Sequence, residues 1–272
     1  MRASLTDEQI REYRDKGALI YENLVSDSEV DELLEAISDA LNAMGTKKVA
    51  GASVLNEPSE TDSKKDVYYE NVFLQKLNLW KVSETVKRIF LGPELGEMVT
   101  TLEGVDGMRV WHDQTLQKMP WGNPTAWHLD NPYWSFYSRH AISIWVALDD
   151  ATIQNGCLFY IPGSHTEARF EKNVGIGQNF GGLFKEYPEW VKREPMCAAM
   201  KRGSCGFHNG LTAHGAGANM TPYPRRAMTC GYMPTGSTFN GQKNILPADY
   251  IATLKEGDLL ENEEQNPVVF AR

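Results

Sequence analysis

HAISIWVAL, His140 to Leu148, is the stretch on which the fold turns. On an extended chain Ile142, Ile144, Val146 and Leu148 share one side, and Ser143, Trp145 and Ala147 share the other. One side is wholly apolar and the other bears no charge, which is the pattern of a strand covered on both faces. Similar short runs surround it, separated by Gly and Pro turns. They are MRVWHDQTLQKM (108–119), CLFYI (157–161, leading into Pro162-Gly163-Ser164), SCGFHNGLTAH (204–214) and RAMTCGYMP (226–234).

Before residue 105 the chain reads differently. Thr6-x-x-Gln9 and Ser26-x-x-Glu29 are capping boxes, in which side chains satisfy the unpaired amides of a first helical turn. After the second box, Val30, Leu33, Leu34, Ile37, Leu41 and Met44 recur at helical spacing. Residues 45–66 are polar and aperiodic and read as a loop. A third helix is expected from Ser83 to Phe90 or a little beyond. Helices first and short strands afterwards predict a mainly β fold, a sandwich or barrel with a helical cover. No repeat or linker divides the chain, so a single unit over 1–272 is expected, with the helical cover over 1–100 and the β core over 105–235.

The bulk composition narrows the function. A chain of 272 residues with 42% hydrophobic and 23% charged residues is ordinary for a soluble globular protein. It can bury roughly 70–75% of its unfolded surface, so it needs no disulfide staples. The net charge of −9 argues against nucleic acid or an anionic membrane as a partner, since both demand basic patches. The acidity gathers in residues 7–39 and at Glu256 to Glu264. Cys157, Cys197, Cys205 and Cys230 form no C-x-x-C pair, and free thiols in a cytoplasmic protein are expected. MRASLTDEQ has no apolar h-region, and no run approaches 18 apolar residues.

All six histidines fall between residues 112 and 214, in the β-rich half. His128 and Asp130 in AWHLDNPYW (126–134) are two apart, so an extended segment points both at one ion. A third ligand must come from a distant strand, and His208 and His214 compete for that place. Asn209-Gly210 is a turn signal that breaks the register between them. Eleven residues after His214 stands Arg225, followed by Arg226. Alternation sends the two arginines to opposite faces, so only one can enter a pocket. A buried arginine needs an anion, and its fork suits a carboxylate. Two histidines and one carboxylate leave half of an octahedral metal open, the facial triad of non-haem iron(II) oxygenases.

These segments resemble the phytanoyl-CoA dioxygenase-like family of iron(II)/2-oxoglutarate oxygenases. The resemblance lies in WHLD (127–130), IWVALDDATIQNGCLFYIPGSH (144–165) and HGAGANMTPYPRRA (214–227). The helical start TDEQIREYRDKGALIYENLVSDSEVDEL (6–33) is similar as well, so most of the chain is covered. The resemblance implies a double-stranded β-helix, or jelly roll, with Fe(II) held by His128, Asp130 and His214. It implies that Arg225 binds the distal carboxylate of the co-substrate 2-oxoglutarate, that Trp145 borders it, and that Gln114 helps to fix it. The implied reaction uses O2 to oxidise a C–H bond of a small-molecule substrate, releasing succinate and CO2. Hydroxylation is the default, with desaturation or cyclisation as variants. Asp130 speaks against halogenating relatives, which carry Gly or Ala there. One departure stands out: Ala216 replaces a common family serine two residues after the last ligand histidine, so another group or a water must substitute for that hydroxyl.

Other residues read more plainly. His112-Asp113 point opposite ways and cannot both hold one metal. His165 reads as a structural hydrogen-bonding residue, His140 as exposed, and Arg226 as a salt-bridge residue. His208 is open between a pocket wall and a strand end. Trp127, Tyr133 and Trp134 are candidate substrate-cavity walls, and the insertion from Phe170 to Pro195 is a candidate lid. A coenzyme-A thioester substrate would need basic residues to converge, with Lys118, Arg139, Lys185 and Arg202 as the candidates. Two other function classes compete: a zinc-dependent hydrolase on the same two-His-one-Asp site, and a non-catalytic jelly-roll binding module. The first lacks an H-E-x-x-H helix to supply its base.

Overall fold

In the computed structural model, residue 1, residues 3–43 and residues 72–272 are described. Two antiparallel sheets form the core. The larger has strand order β1-β7-β4-β9-β2-β10 and the smaller β3-β8-β5-β6. In chain order the strands are β1 (Ala18–Tyr21), β2 (Gly107–Lys118), β3 (Thr125–His128), β4 (Ile142–Ala147) and β5 (Leu158–Tyr160). They continue with β6 (Met196–Ala198), β7 (Cys205–Asn209), β8 (His214–Ala216), β9 (Arg225–Pro234) and β10 (Val268–Ala271). The jelly-roll expectation holds.

β4 behaves as its sequence demands. Ile142, Ile144, Val146 and the following Leu148 face a cluster shared with the helices. Trp145 and Ala147 face the smaller sheet, meeting Leu158, Tyr160 and Ala216. Four helices cover the outer face: α1 (Asp7–Lys16), α2 (Asp27–Ala43), α3 (Glu84–Phe90) and α4 (Pro93–Glu103). Both capping boxes form. Thr6 Oγ1 accepts from Gln9 N while Thr6 N donates to Gln9 Oε1. Ser26 N donates to Glu29 Oε2 and Glu29 N to Ser26 Oγ. Val30, Leu33 and Ile37 of α2 reach the core. The Leu41 side chain, Met44 and the expected loop at 45–66 lie outside the described residues.

Two boundaries differ from expectation. The β core is wider than 105–235, because β1 and β10 form the two edges of the larger sheet. β1 lies inside the expected helical cover, paired with β7 from Ala18↔His208 to Tyr21↔Cys205. Each edge strand has four residues, too few for alternation to stand out, and pairing with a long-range partner makes them strands. The stretch after Phe90 is a separate helix, α4, begun by Pro93 after Gly92.

Candidate metal and co-substrate site

The cavity lies between the sheets, with about 130 Å³ of free space, roughly ten times what one water needs. It is ligand-sized. His128, at the end of β3, and His214, opening β8, are direct ladder partners. Asp130 joins them from the turn beyond β3. One ligand-capable atom from each of the three lies within 4.8 Å of the others.

Asp130 gets there differently than an unbroken strand would place it. β3 ends at His128, and Asp130 has helical dihedrals (φ −78°, ψ −56°), opening a 3-10 turn over Asn131–Tyr133. Pro132 in that turn sets its φ and favours the tight bend. The bend still brings Asp130 Oδ1 to 3.6 Å from both His128 Nε2 and His214 Nε2.

The donor set suits a divalent metal. His128 Nδ1 lies 2.8 Å from Ala126 O, and His214 Nδ1 lies 3.0 Å from Thr212 O. Each carbonyl can only accept, so each Nδ1 carries the hydrogen and each Nε2 lone pair is left facing the carboxylate. Burial pushes both imidazoles down to about 4, so both are neutral at pH 7 and ready to ligate. Burial works to raise the Asp130 carboxyl, but His214 when protonated and the hydrogen bond from His208 outweigh it and hold it well below the usual range, so Asp130 is ionised at pH 7. Asp130 Oδ2 is occupied: Ser143 Oγ donates to it at 2.8 Å, and His208 Nε2 lies 3.2 Å away.

Arg225 and Trp145 both line the cavity, with the guanidinium 5.0 Å from the centre of the Trp145 ring. Arg225 is 2% exposed and its Nε has no hydrogen-bond partner. Burial lowers it to about 10, which leaves it cationic. Its Nη1 reaches only Leu116 O, at 3.5 Å, and among the described residues no carboxylate pairs with it, so this buried cation is poised for an anion. Arg226 takes the opposite face, held by Asp149 through Nε at 2.8 Å and Nη2 at 2.6 Å.

Thr125 stands opposite Ala216 in the β3–β8 ladder, and both line the cavity. Its Oγ1 lies 3.4 Å from Nζ of Lys118, which also donates to Asn123 O at 2.5 Å. Lys118 Nζ is the donor in that contact, so the threonine hydrogen is left free to point elsewhere. Lys118 is fully buried and pairs in register with Arg225. Burial, then Arg225, lowers it to about 6.

Gln114, Tyr133 and Trp134 line the cavity. Trp127 does not. A register shift between Thr125 and His128 breaks the alternation, so both of those residues face inward. Trp127 is turned outward onto Phe184, with ring centres 5.5 Å apart. Asp113 turns away and accepts from Leu79 N and Trp80 N at 2.9 and 3.0 Å. His112 lines the cavity, with Nδ1 buried and unpartnered. His165 meets Arg14 O, and His140 is exposed beside Glu103. From the 170–195 insertion, Ile176 reaches the cavity wall. Lys118, Arg139, Lys185 and Arg202 do not converge there: Arg139 serves backbone oxygens of His165 and Ala168, and Arg202 pairs with Asp27 and Asp31.

Thr125, Ser143, Phe73, Asn244 and Ile245 escaped the sequence reading as site residues. His208, which the sequence left open between a pocket wall and a strand end, lines the cavity.

A model of the phytanoyl-CoA dioxygenase (PhyH) family matches residues 13–227. The chain belongs to this family. As a member of the phytanoyl-CoA dioxygenase family it is an oxidoreductase. Among its relatives, phytanoyl-CoA dioxygenase domain-containing protein 1 of Danio rerio is 23% identical over 282 residues, 90% of this chain and 95% of that protein. The crystal structure of the non-heme alpha ketoglutarate dependent carbocyclase SnoK from nogalamycin biosynthesis superposes with a TM-score of 0.79. It is 24% identical, covering 98% of this chain and 97% of SnoK. The epimerase SnoN, solved with Fe3+, alpha ketoglutarate and nogalamycin RO, superposes with a TM-score of 0.74 at 22% identity. That match covers 97% of this chain and 98% of SnoN. At such identities these two structures establish the shared fold.

Proposed function

We propose that this protein is an iron(II)/2-oxoglutarate-dependent dioxygenase acting on a C–H bond of a small molecule. The observation that carries the proposal is the meeting of His128, Asp130 and His214 in one cavity with the buried Arg225, whose Nε has no hydrogen-bond partner. His128 Nε2, Asp130 Oδ1 and His214 Nε2 would hold the iron. Bound iron supplies the redox chemistry by which O2 is reduced: one oxygen atom goes to succinate as CO2 leaves 2-oxoglutarate, and the other goes to the substrate.

The chain's own groups prepare that reaction. Arg225 receives the distal carboxylate of 2-oxoglutarate, and its charge fixes which end of the co-substrate lies deepest. The Thr125 hydroxyl, backed by Lys118, donates to the same carboxylate and supplies the hydroxyl that Ala216 lacks. Trp145 packs beside the guanidinium and keeps water off that ion pair. Among the described residues, the rest of the cavity wall bears no acidic or basic side chain except the histidines. Phe73, Leu77, Tyr133, Trp134, Ile176 and Ile245 make it largely apolar, and Gln75, Gln114 and Asn244 supply amides. This lining supports an uncharged substrate with few polar groups, not an acyl-coenzyme-A thioester.

The test is metal analysis of purified protein, followed by succinate release with iron(II), ascorbate and 2-oxoglutarate. Succinate formation that disappears in Asp130→Ala supports the proposal. Zinc without succinate indicates a hydrolase, and tight 2-oxoglutarate binding that never yields succinate indicates a binding module.

A further inference from the structure

His208 is 3% exposed, sits beside the metal-capable group and holds no position within it. Both of its nitrogens are engaged. Nε2 is 3.2 Å from Asp130 Oδ2, and Nδ1 is 3.4 Å from the hydroxyl of Tyr160. A carboxylate oxygen only accepts, so Nε2 carries the hydrogen and has no lone pair for a metal. Tyr160 can approach because residue 206 is glycine: a Cβ there would fall 2.5 Å from the Tyr160 hydroxyl. Ser143 and His208 are direct cross-strand partners on β4 and β7, and both reach the same oxygen of Asp130.

We propose that His208 is a positioning residue that, with its cross-strand partner Ser143, holds Asp130 to a single metal-binding oxygen. This inference rests on the iron/2-oxoglutarate reading. Two imidazole nitrogens and one carboxylate oxygen take three of the six positions of an octahedral ion. A carboxylate that chelated through both oxygens would take a fourth. A 2-oxo acid needs two positions and O2 a third, so a chelating Asp130 would displace one of them. Two donors on Oδ2 oppose that chelation, because the metal would have to replace both hydrogen bonds.

The test uses full-length protein freed of metal and reloaded with manganese(II) or cobalt(II) without oxygen. It measures metal affinity, 2-oxoglutarate affinity and the cobalt absorption spectrum. In His208→Ala, 2-oxoglutarate affinity of the loaded protein falls at least about tenfold, metal affinity falls by less, and the cobalt spectrum of the binary complex changes. His208→Gln, whose amide can donate to Oδ2, recovers most of the 2-oxoglutarate affinity. The proposal is overturned if His208→Ala binds 2-oxoglutarate as wild type does. It is equally overturned if metal affinity falls as far as in His128→Ala, which would make His208 a ligand. If His208→Ala does not fold, Ser143→Ala carries the test: lower 2-oxoglutarate affinity at retained metal affinity supports the proposal, and unchanged affinity overturns it. Wild-type protein that binds neither metal nor 2-oxoglutarate would instead overturn the proposed function, and this role with it.

Discussion

Arg225 and Arg226 are neighbours in sequence and leave β9 on opposite faces. Arg225 enters the cavity beside Trp145, and Arg226 closes a two-point ion pair with Asp149. Replacing them must therefore have different consequences. Arg225→Ala raises KM for 2-oxoglutarate by roughly tens to hundreds of times, because a buried carboxylate loses its partner, on the order of 2–4 kcal/mol. Arg226→Ala leaves that KM unchanged and lowers stability by about 1 kcal/mol or less, as its pair is partly exposed. Steady-state kinetics and denaturant unfolding of both variants check this.

The hydroxyl facing Ala216 gives a second test. Thr125→Val keeps the shape of the side chain and removes its donor, so 2-oxoglutarate affinity falls by roughly ten- to a hundredfold, the worth of one hydrogen bond to a charged group. Adding Ala216→Ser to that variant places a hydroxyl on the opposite strand and restores most of the loss. Unchanged 2-oxoglutarate affinity in Thr125→Val would show that Thr125 acts only through packing.

Asp113 serves stability. Its two oxygens accept the backbone amides of Leu79 and Trp80 at the start of the 3-10 turn Leu79–Lys81. Asp113→Ala leaves two buried donors unpaired and costs roughly 2–4 kcal/mol. Urea unfolding reads the loss, and metal binding in the folded fraction is unaffected.

His112 should make metal-free protein acid-sensitive. Burial holds it down to about 4, against an unfolded value near 6.5. Between those values the unfolded chain takes up a proton that the folded chain refuses. The stability His112 confers is therefore fully present above about pH 6.5 and is lost as pH falls toward 4. Asp113, raised by burial to about 7, works the other way, losing stability as pH rises toward 7. Comparing wild type with His112→Gln cancels that background. The stability difference between them shifts by roughly 2–4 kcal/mol from pH 6.5 to pH 4. A constant difference would place His112 in water, outside the buried wall.

Local pattern was enough for much of this protein. The two-sided apolar run of β4, the capping boxes of α1 and α2, and the alternation that separates Arg225 from Arg226 all arise from chemistry within a few residues. Those features were legible, as were the three metal-capable residues once the family motifs were joined to them. What local pattern could not reach was set by long-range pairing. The edge strands β1 and β10 are strands because a distant neighbour hydrogen-bonds them. Trp127 faces outward because a register shift breaks the alternation of β3. Asp130 faces the histidines through a 3-10 bend that an extended chain would not make. His208 and Ser143 reach one carboxylate oxygen because β4 and β7 lie side by side, although the two residues are 65 positions apart in the chain (208 minus 143). Side-chain type and spacing specify which groups a strand offers, whereas sheet register specifies which of them share a point in space.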